Sequence, residues 1–415
     1  MFKTYTGFEY LLIDAANAYG LDKKEFEDRI QWGRDNIDVL ESFSAGVKLK
    51  DRPLYVKAVG AIRKAQQKLP TGHLVGVDGA CSGMQVMSVL TGCESGARAT
   101  GMVDPNKRAD AYTEVTDAMR RLLGGLAAVK RDDAKQAVMT VLYGSKAEPK
   151  KLFGEGTPEL NAFYQAVHEV APGAWELLQI LLESWQAWAL SHEWKLPDGY
   201  DAKVKVMNKR QVRLEVDELD HSTFTYEFYE NEGQEKGLSN AANVVHSVDG
   251  YVLRTMHRRC NYDLKMIMNA YAVVQSEIRA RIMGTDQAVQ TIDEKVSYYI
   301  QQYNRSTVAD VVIAPYLNGV NVAQLSDKHL EKLASIMQSM LQHKPFELVT
   351  IHDEFKAHAN NINWVRYHYK EIMADLADSN LLDDLITQIT GTPFKFDKFI
   401  DNLGDKIRES NYALC

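Results

Sequence analysis

Apolar positions recur at three- to four-residue spacing through most of this chain and at two-residue spacing in only a few short places, so helices should dominate. Residues 7–17 and 24–32 both carry the helical spacing, and residues 1–70 show little strand pattern. Residues 73–77 read as a short apolar strand that stops at Asp78 and Gly79. Residues 107–143 read as helical, broken at Gly124-Gly125 and ended by Gly144; a further helical run, rich in Trp and Leu, covers 160–192. At 203–207 and 224–229 the period shifts to two, which predicts a β-hairpin over 203–230. Helix returns over 243–268 and through most of 270–345, with interruptions near Pro315 and Asn318-Gly319. Residues 346–351 form a second apolar strand, again followed by an acidic residue. The expected class is α+β with helices dominant, and the two strand-end aspartates, Asp78 and Asp353, are expected as neighbours on one small sheet.

Length changes the picture by allowing two or three domains in 415 residues. The composition, 45% apolar and 25% charged, is that of an ordinary globular protein, with no run of about 18 apolar residues. The first residues lack the basic stretch, apolar core and cleavage site of a secretory signal, so a cytoplasmic location is expected. Cys81, Cys93, Cys260 and Cys415 form no Cys-x-x-Cys pair and have no His at zinc spacing, which predicts neither a disulfide framework nor a structural metal. A net charge of −8 argues against a general nucleic-acid binder, although an acidic protein can still carry one basic groove.

Three segments carry candidate chemistry. Asp78 and Asp353 each follow an apolar strand, and two carboxylates brought together there repel unless cations sit between them. Two Mg²⁺ ions held about 4 Å apart could activate a hydroxyl and stabilise a leaving phosphate. Arg131 and Lys135 lie four apart on one helix face, a geometry suited to a triphosphate, and Tyr143 follows two turns later, where its ring could stack at the mouth of a nucleotide site. Taken singly, each has a plainer reading: Asp78-Gly79 as a turn, Arg131 and Lys135 as a solvated face, His246 as a structural histidine on an apolar stretch, and Lys23 as a surface lysine.

Together these segments resemble the single-subunit RNA polymerases of T-odd bacteriophages and mitochondria. Asp78-Gly79-Ala80-Cys81-Ser82-Gly83-Met84-Gln85 is similar to that family's first palm motif, Asp-Gly-x-Cys-Ser-Gly-x-Gln. Arg131, Lys135, Val138, Met139, Thr140, Tyr143, Gly144 and Ser145 are spaced like its fingers helix, and His352-Asp353-x-Phe355 like its second palm motif. Weaker similarity covers 7–29, Asp110 to Val115 with Tyr112, Val245 to Gly250 with His246, and a C-terminal foot at 400–415.

The resemblance implies a DNA-directed RNA polymerase, with a right-hand palm and fingers and a small antiparallel palm sheet. Residues 1–70 would lead into the palm, 70–94 and 247–415 would be palm, and 95–246 fingers. It further implies that Asp78, Asp353 and the carbonyl of Gly79 hold two Mg²⁺ ions, and that His352 belongs to the catalytic set. Lys135 would contact the triphosphate and aid pyrophosphate departure; Arg131 and Lys23 would bind phosphates. Tyr112 would lie in the nucleotide site, and Tyr143 and His246 would help select the ribose hydroxyl. DNA template, RNA product and NTPs are the implied ligands, in an infected bacterial host.

Four departures accompany it. Gln136 stands where the family has a second arginine, and residues about 266–345 look like an insertion into the palm. The hairpin at 203–230 carries Glu215, Asp217, Glu218, Asp220, Glu227 and Glu230, which suits neither phosphate contact nor arginine-to-guanine readout. No thumb, N-terminal promoter-binding domain or template-contacting strand is recognisable, so a smaller partner subunit carrying them is expected, with a promoter-recruitment factor as a further partner. The competing readings are a palm-class DNA polymerase and a catalytically silent nucleic-acid-binding subunit; the small residues after Asp78 favour ribonucleotides over the first, and retention of both aspartates and Lys135 disfavours the second.

Overall fold

The computed structural model describes residues 2–46, 48–125, 129–237, 239–286 and 292–415. Met1, residues 126–128 beside the Gly124-Gly125 break, and 287–291 inside the expected insertion lie outside the described residues. The chain opens with four helices, α1 (Gly7–Ala16), α2 (Phe26–Asp35), α3 (Leu40–Gly46) and α4 (Arg52–Gln66). Thr6 and Glu9 form a reciprocal capping box that starts α1, and Asp51 caps α4 through the Leu54 amide. Strand β1 (Leu74–Asp78) then leads into α5 (Ser82–Thr91) and α6 (Glu94–Ala99). Next come α7 (Ala111–Leu122), α8 (Arg131–Val141), α9 (Ala147–Phe153), α10 (Pro158–Val170) and α11 (Pro172–Glu183).

Two ribbons interrupt the helices: β2 (Ser191–Lys195) with β3 (Asp201–Lys205), and β4 (Met207–Val216) with β5 (Ser222–Asn231). Helices α12 (Ser239–Cys260), α13 (Leu264–Met283), α14 (Glu294–Ser306) and α15 (Asp327–Met340) follow. The chain continues through β6 (Val349–Ile351), β7 (Glu354–His358), α16 (Ile362–Ala377), α17 (Leu381–Thr390) and α18 (Leu403–Glu409). The fold is therefore α+β with helices dominant and small antiparallel sheets. No described helix is long and apolar enough to cross a membrane.

Several expectations change. The helical run placed over 160–192 stops at Glu183, and 191–195 is strand. Residues 203–205 pair with 191–193, so the long hairpin is Met207–Asn231 rather than 203–230. The run placed over 243–268 is two helices, because Asp263 caps a new one through the Met266 amide. The strand placed over 346–351 is reduced to Val349–Ile351, and β1 pairs instead with β7, which the apolar pattern did not reveal. Periodicity reports which face is buried and not which segment lies alongside.

A large apolar cluster joins α1, α4, β1, α5, α7, α8, α10, α11, α12 and α16. A second, separate cluster is built from α13–α15 and the turns between them, around Ile267, Val274, Val296, Leu330, Leu333 and Met337. It corresponds to the stretch the resemblance marks as inserted. Arg258 of α12 ties the two together by bridging Asp310, at 2.7 Å, and Asp198, at 3.2 Å.

Both ends of the described chain meet on α16. Arg366 is buried there, donates to the carbonyls of Lys3 (3.1 Å) and Asn411 (2.8 Å) and to the Tyr10 hydroxyl (2.7 Å), and lies over the rings of Phe2, Tyr5 and Phe26. An Arg366→Leu change removes the three hydrogen bonds and the cation–π contacts from a buried position. It should lower the unfolding free energy by about 3 kcal/mol, measured by urea denaturation; a loss below about 1 kcal/mol would show that α16 does not hold the termini.

Candidate active site

β1, β7 and β6 form one antiparallel sheet with β7 in the middle. Val75 and Val77 of β1 pair with Ala357 and Phe355 of β7, and all four are buried. Alternation then puts Gly76, Asp78, Glu354 and Lys356 together on the opposite face, with Asp78 directly across from Glu354. Gly76 is required there, since a Cβ on it would lie 2.3 Å from the Glu354 carboxylate. Asp353 does not end a strand; it sits in the two-residue turn His352-Asp353 between β6 and β7, with His352 in the left-handed region at φ 55°. The Asp353 carbonyl accepts from the Gly79 amide at 3.3 Å, tying that turn to the end of β1.

Behind Asp78 the chain turns sharply into α5 through Cys81, also left-handed at φ 66°. Gln85 of α5 is fully buried and fully used: its amide donates to the carbonyls of Thr100 and Ala413, and its oxygen accepts from the Tyr369 hydroxyl at 2.8 Å. On the far side of β1, the Cys415 backbone exchanges hydrogen bonds with that of Asp78. The position of Asp78 is thus fixed from both flanks and from below.

Two cavities open on this framework. The first, of about 400 Å³, is lined by Asp78, Gly79, Asp353 and Glu354 from the end of the sheet and by Lys23, Arg108, Tyr112 and Lys135 from the helices and loops around it, with Lys50 and the carboxylates Asp14, Asp22 and Asp110 also in the lining. The second, of about 540 Å³, is lined by Tyr143, His246, Asp249, His352, Phe355 and Tyr369. Asp353 and Met139 belong to both linings. Within the second, the rings of Tyr143 and His246 lie 4.6 Å apart, and the Tyr143 hydroxyl bonds Ser82. Gly83 makes room for that hydroxyl, which a Cβ would approach to 2.8 Å.

The first cavity carries both signs of charge, with Asp78, Asp353 and Glu354 clustered at the end of the sheet. Burial, then the charges of Asp353 and Glu354, push the Asp78 carboxyl up to about 6. Burial and Asp353 push Asp249 up to about 7. Lys135 has its ammonium 5.6 Å from the centre of the Tyr112 ring and forms no ion pair among the described residues. The Lys23 ammonium is lowered by burial and by the nearby Arg108 charge. Burial also raises the Tyr112 hydroxyl, which is hydrogen-bonded to the Cys81 thiol. Lys23 lies 3.6 Å from the Asp22 carboxylate, while Lys135 and Arg108 have no ion pair among the described residues; carboxylates and such cations around one cavity suit a ligand that is both anionic and metal-bound. The carboxylate cluster fits hard cations, because its own mutual repulsion is what a divalent ion would relieve. Asp78, Asp353 and Glu354 do not all converge within 4.8 Å; the described trio that does, Glu215, Asp217 and His221, is an exposed group at the tip of the β4–β5 hairpin.

Of the residues singled out from sequence, Asp78, Gly79, Asp353, Lys23, Lys135 and Tyr112 line the first cavity and Tyr143, His246 and His352 the second. Arg131 is the exception. Its guanidinium grips Asp110 through Nη2 at 2.7 Å and Nε at 3.0 Å and stands outside both linings. Burial works to raise the Asp110 carboxyl, but the hydrogen bonds and charge of Arg131 outweigh it and hold it below the usual range. Sequence reasoning assigned no role to Glu354, Asp249, Gln85 or Arg108. The first three lie inside recognised strings and could have been found there, whereas Arg108 sits in an unpatterned loop and carries no local signal.

The family model described as DNA-dependent RNA polymerase matches residues 3–150, which hold the first-cavity residues from Lys23 to Lys135. The mitochondrial DNA-directed RNA polymerase 1 of Arabidopsis thaliana is 27% identical over 179 residues, covering 34% of this chain and 18% of that relative. The chain therefore spans less than a fifth of the length of the relative it matches.

A carboxylate binds a cation only when ionised, so a divalent ion held by the raised Asp78 would bind in a pH-dependent way. Mg²⁺ affinity, measured by calorimetry, should fall as pH drops through about 6. Asp78→Asn should flatten that dependence, and a wild-type affinity that is level across the same range would remove Asp78 from the ligand set.

Proposed function

We propose that this chain is the catalytic part of a DNA-directed RNA polymerase, joining NTPs to the 3′ end of RNA on a DNA template by two-metal nucleotidyl transfer. The observation that carries the reading is the first cavity, where Asp78, Asp353 and Glu354 share one lining with Lys23, Arg108 and Lys135, with Tyr143 and His246 immediately beyond Asp353. The match of residues 3–150 to the DNA-dependent RNA polymerase family supports the same class. In this reading residues 70–94 and 247–415 form the palm, 95–246 the fingers, and α13–α15 an insertion.

Asp78 and Asp353, with the Gly79 carbonyl, would hold two Mg²⁺ ions, and Glu354 adds negative charge beside them. The chemistry Mg²⁺ supplies when bound there is activation of the attacking 3′-hydroxyl and stabilisation of the departing pyrophosphate. The protein's own groups supply the rest. Lys135 contacts the triphosphate from α8 and donates a hydrogen bond from Nζ to the leaving phosphate oxygens. Lys23 adds a second positive charge. Tyr112 floors the nucleotide site and keeps Lys135 in place over its ring. Tyr143 and His246 bound the second cavity, where the hydroxyl of Tyr143 can sense a ribose 2′-hydroxyl and its ring can stack on the base. The phosphates lie in one cavity and the nucleoside in the other, with Asp353 at their junction. A firm grip on the RNA–DNA hybrid requires more phosphate contacts than this site provides, supplied by further polypeptide in the same chain or in a smaller partner. Bacteriophage transcription in an infected cell, with a recruiting factor at the promoter, is the setting that the motif set favours.

The test is NTP incorporation on a primed single-stranded template, using the protein with whatever co-purifies with it. Asp353→Asn should reduce Mg²⁺-dependent synthesis by more than about a hundredfold with the melting temperature preserved. Near-normal elongation by the folded variant would rule out the metal assignment. Tyr143→Phe should keep RNA synthesis while admitting dNTPs more readily, by about tenfold in relative kcat/KM; an unchanged NTP-to-dNTP ratio would exclude Tyr143 as the sugar sensor.

A further inference from the structure

Arg108 lies in the loop between α6 and α7 and lines the first cavity together with Asp78, Lys23 and Lys135. Its Nε donates a hydrogen bond to the Cys415 thiol at 3.2 Å, and among the described residues it forms no ion pair. A thiol is a weak acceptor, so most of the guanidinium's donor capacity is unspent. It also stands among other cations: its charge acts unfavourably on Lys23 and on the buried Arg29, adding in each case to the larger effect of burial. Positive charges crowded at a cavity, with the nearby carboxylate Asp22 shared between Lys50 and Lys23 and Asp110 engaged by Arg131, are relieved by an anion.

The other cationic position expected nearby offers nothing. Gln136 is neutral and turned outward, donating to Glu148 at 2.6 Å. Arg131 is spent on Asp110. Of the three lysines in the lining, Lys50 is held by Asp22 at 2.8 Å and Lys23 lies 3.6 Å from the same carboxylate, so Lys23 and Lys135 remain for point-charge contacts, and Arg108 is the one arginine of the lining, with a planar fork able to bind two phosphate oxygens at once.

We infer that Arg108 is the guanidinium that grips the triphosphate of the incoming nucleotide, filling the role that Gln136 leaves open. The inference rests on the polymerase reading, and it assigns to an unpatterned loop a binding residue that no motif identifies. On binding, the Cys415 thiol gives way to a phosphate oxygen, because a charge-assisted bond outcompetes one to a neutral thiol. No covalent step is involved.

The experiment compares Mg·ATP and Mg·AMP binding by calorimetry for the full chain with its co-purifying partners, as wild type, Arg108→Gln and Arg108→Lys, alongside steady-state incorporation. Arg108→Gln should weaken ATP binding by roughly tenfold and raise the KM for NTP by a similar factor, with kcat changed less. AMP affinity and melting temperature should stay as in the wild type, and Arg108→Lys should recover part of the loss. Arg108→Gln binding ATP within about twofold of a wild type that does bind it would overturn the inference and leave the polymerase reading standing. An equal loss for ATP and AMP with a lowered melting temperature would overturn it as well, by showing that Arg108 only holds the tail. A wild type that neither binds ATP nor incorporates NTP would bring down the polymerase reading, and this inference with it.

Discussion

The antiparallel pairing of β1 with β7 is the constraint on which the rest of the site depends. It sets Asp78 against Glu354, next to Asp353, so three carboxylates share one small face. That arrangement is unfavourable by itself: burial first, and then the charges of Asp353 and Glu354, displace the Asp78 carboxyl upward. It persists because the other face of the same two strands, Val75, Val77, Phe355 and Ala357, is buried against the main core. Each apolar side chain buried there contributes on the order of 2 kcal/mol, enough in sum to hold the carboxylates in place. A one-residue slip would turn all of these side chains over, so the core also protects the register.

Around that sheet the two sides of the cavity are built differently. The carboxylate side is pinned by the backbone of Cys415, which exchanges hydrogen bonds with that of Asp78, and by the Asp353 carbonyl, which accepts from the Gly79 amide, while Gln85 joins Tyr369 to the backbone of Ala413 beneath it. The cationic side is assembled from the turn after α1, the loop before α7 and the helix α8, and most of its donors reach the cavity on long side chains. A pinned carboxylate floor beside cations on long side chains is the arrangement that the proposed nucleotidyl transfer would need, with metal ligands held still while a phosphate chain shifts.

Two parts of the chain stand apart from this machinery. Helices α13–α15 have their own apolar cluster and meet the main body through a buried arginine–aspartate junction, so they add a body rather than reshape the site. The β4–β5 ribbon carries Val212, Leu214, Phe224 and Tyr226 exposed on one face, and its tip gathers Glu215, Asp217 and His221. A ribbon with that much exposed carboxylate repels a phosphate backbone, which separates it chemically from the cavity it lies beyond in sequence.

Local pattern by itself determined the helices, because spacing between residues three and four apart reports directly on which face is buried; α1, α2, α7 and α8 were legible for that reason. It also located the strand before Asp78, and of the site residues that the motif strings singled out, all but Arg131 line one of the two cavities. What it could not reach were the partnerships. That β3 pairs with β2, that Asp353 occupies a turn, that Glu354 faces Asp78, and that Arg131 is held by Asp110 are contacts between segments far apart in sequence or turned by backbone dihedrals. Arg108 is the clearest case. Its neighbours in sequence, Lys107 and Ala109, reveal nothing of its place, and only the folding of its loop across the end of β1 sets its guanidinium beside the carboxylates and lysines of the cavity. Side-chain chemistry is written residue by residue, but which charge meets which is decided by tertiary packing, since Coulomb and hydrogen-bond energies depend on distance in space and not along the chain.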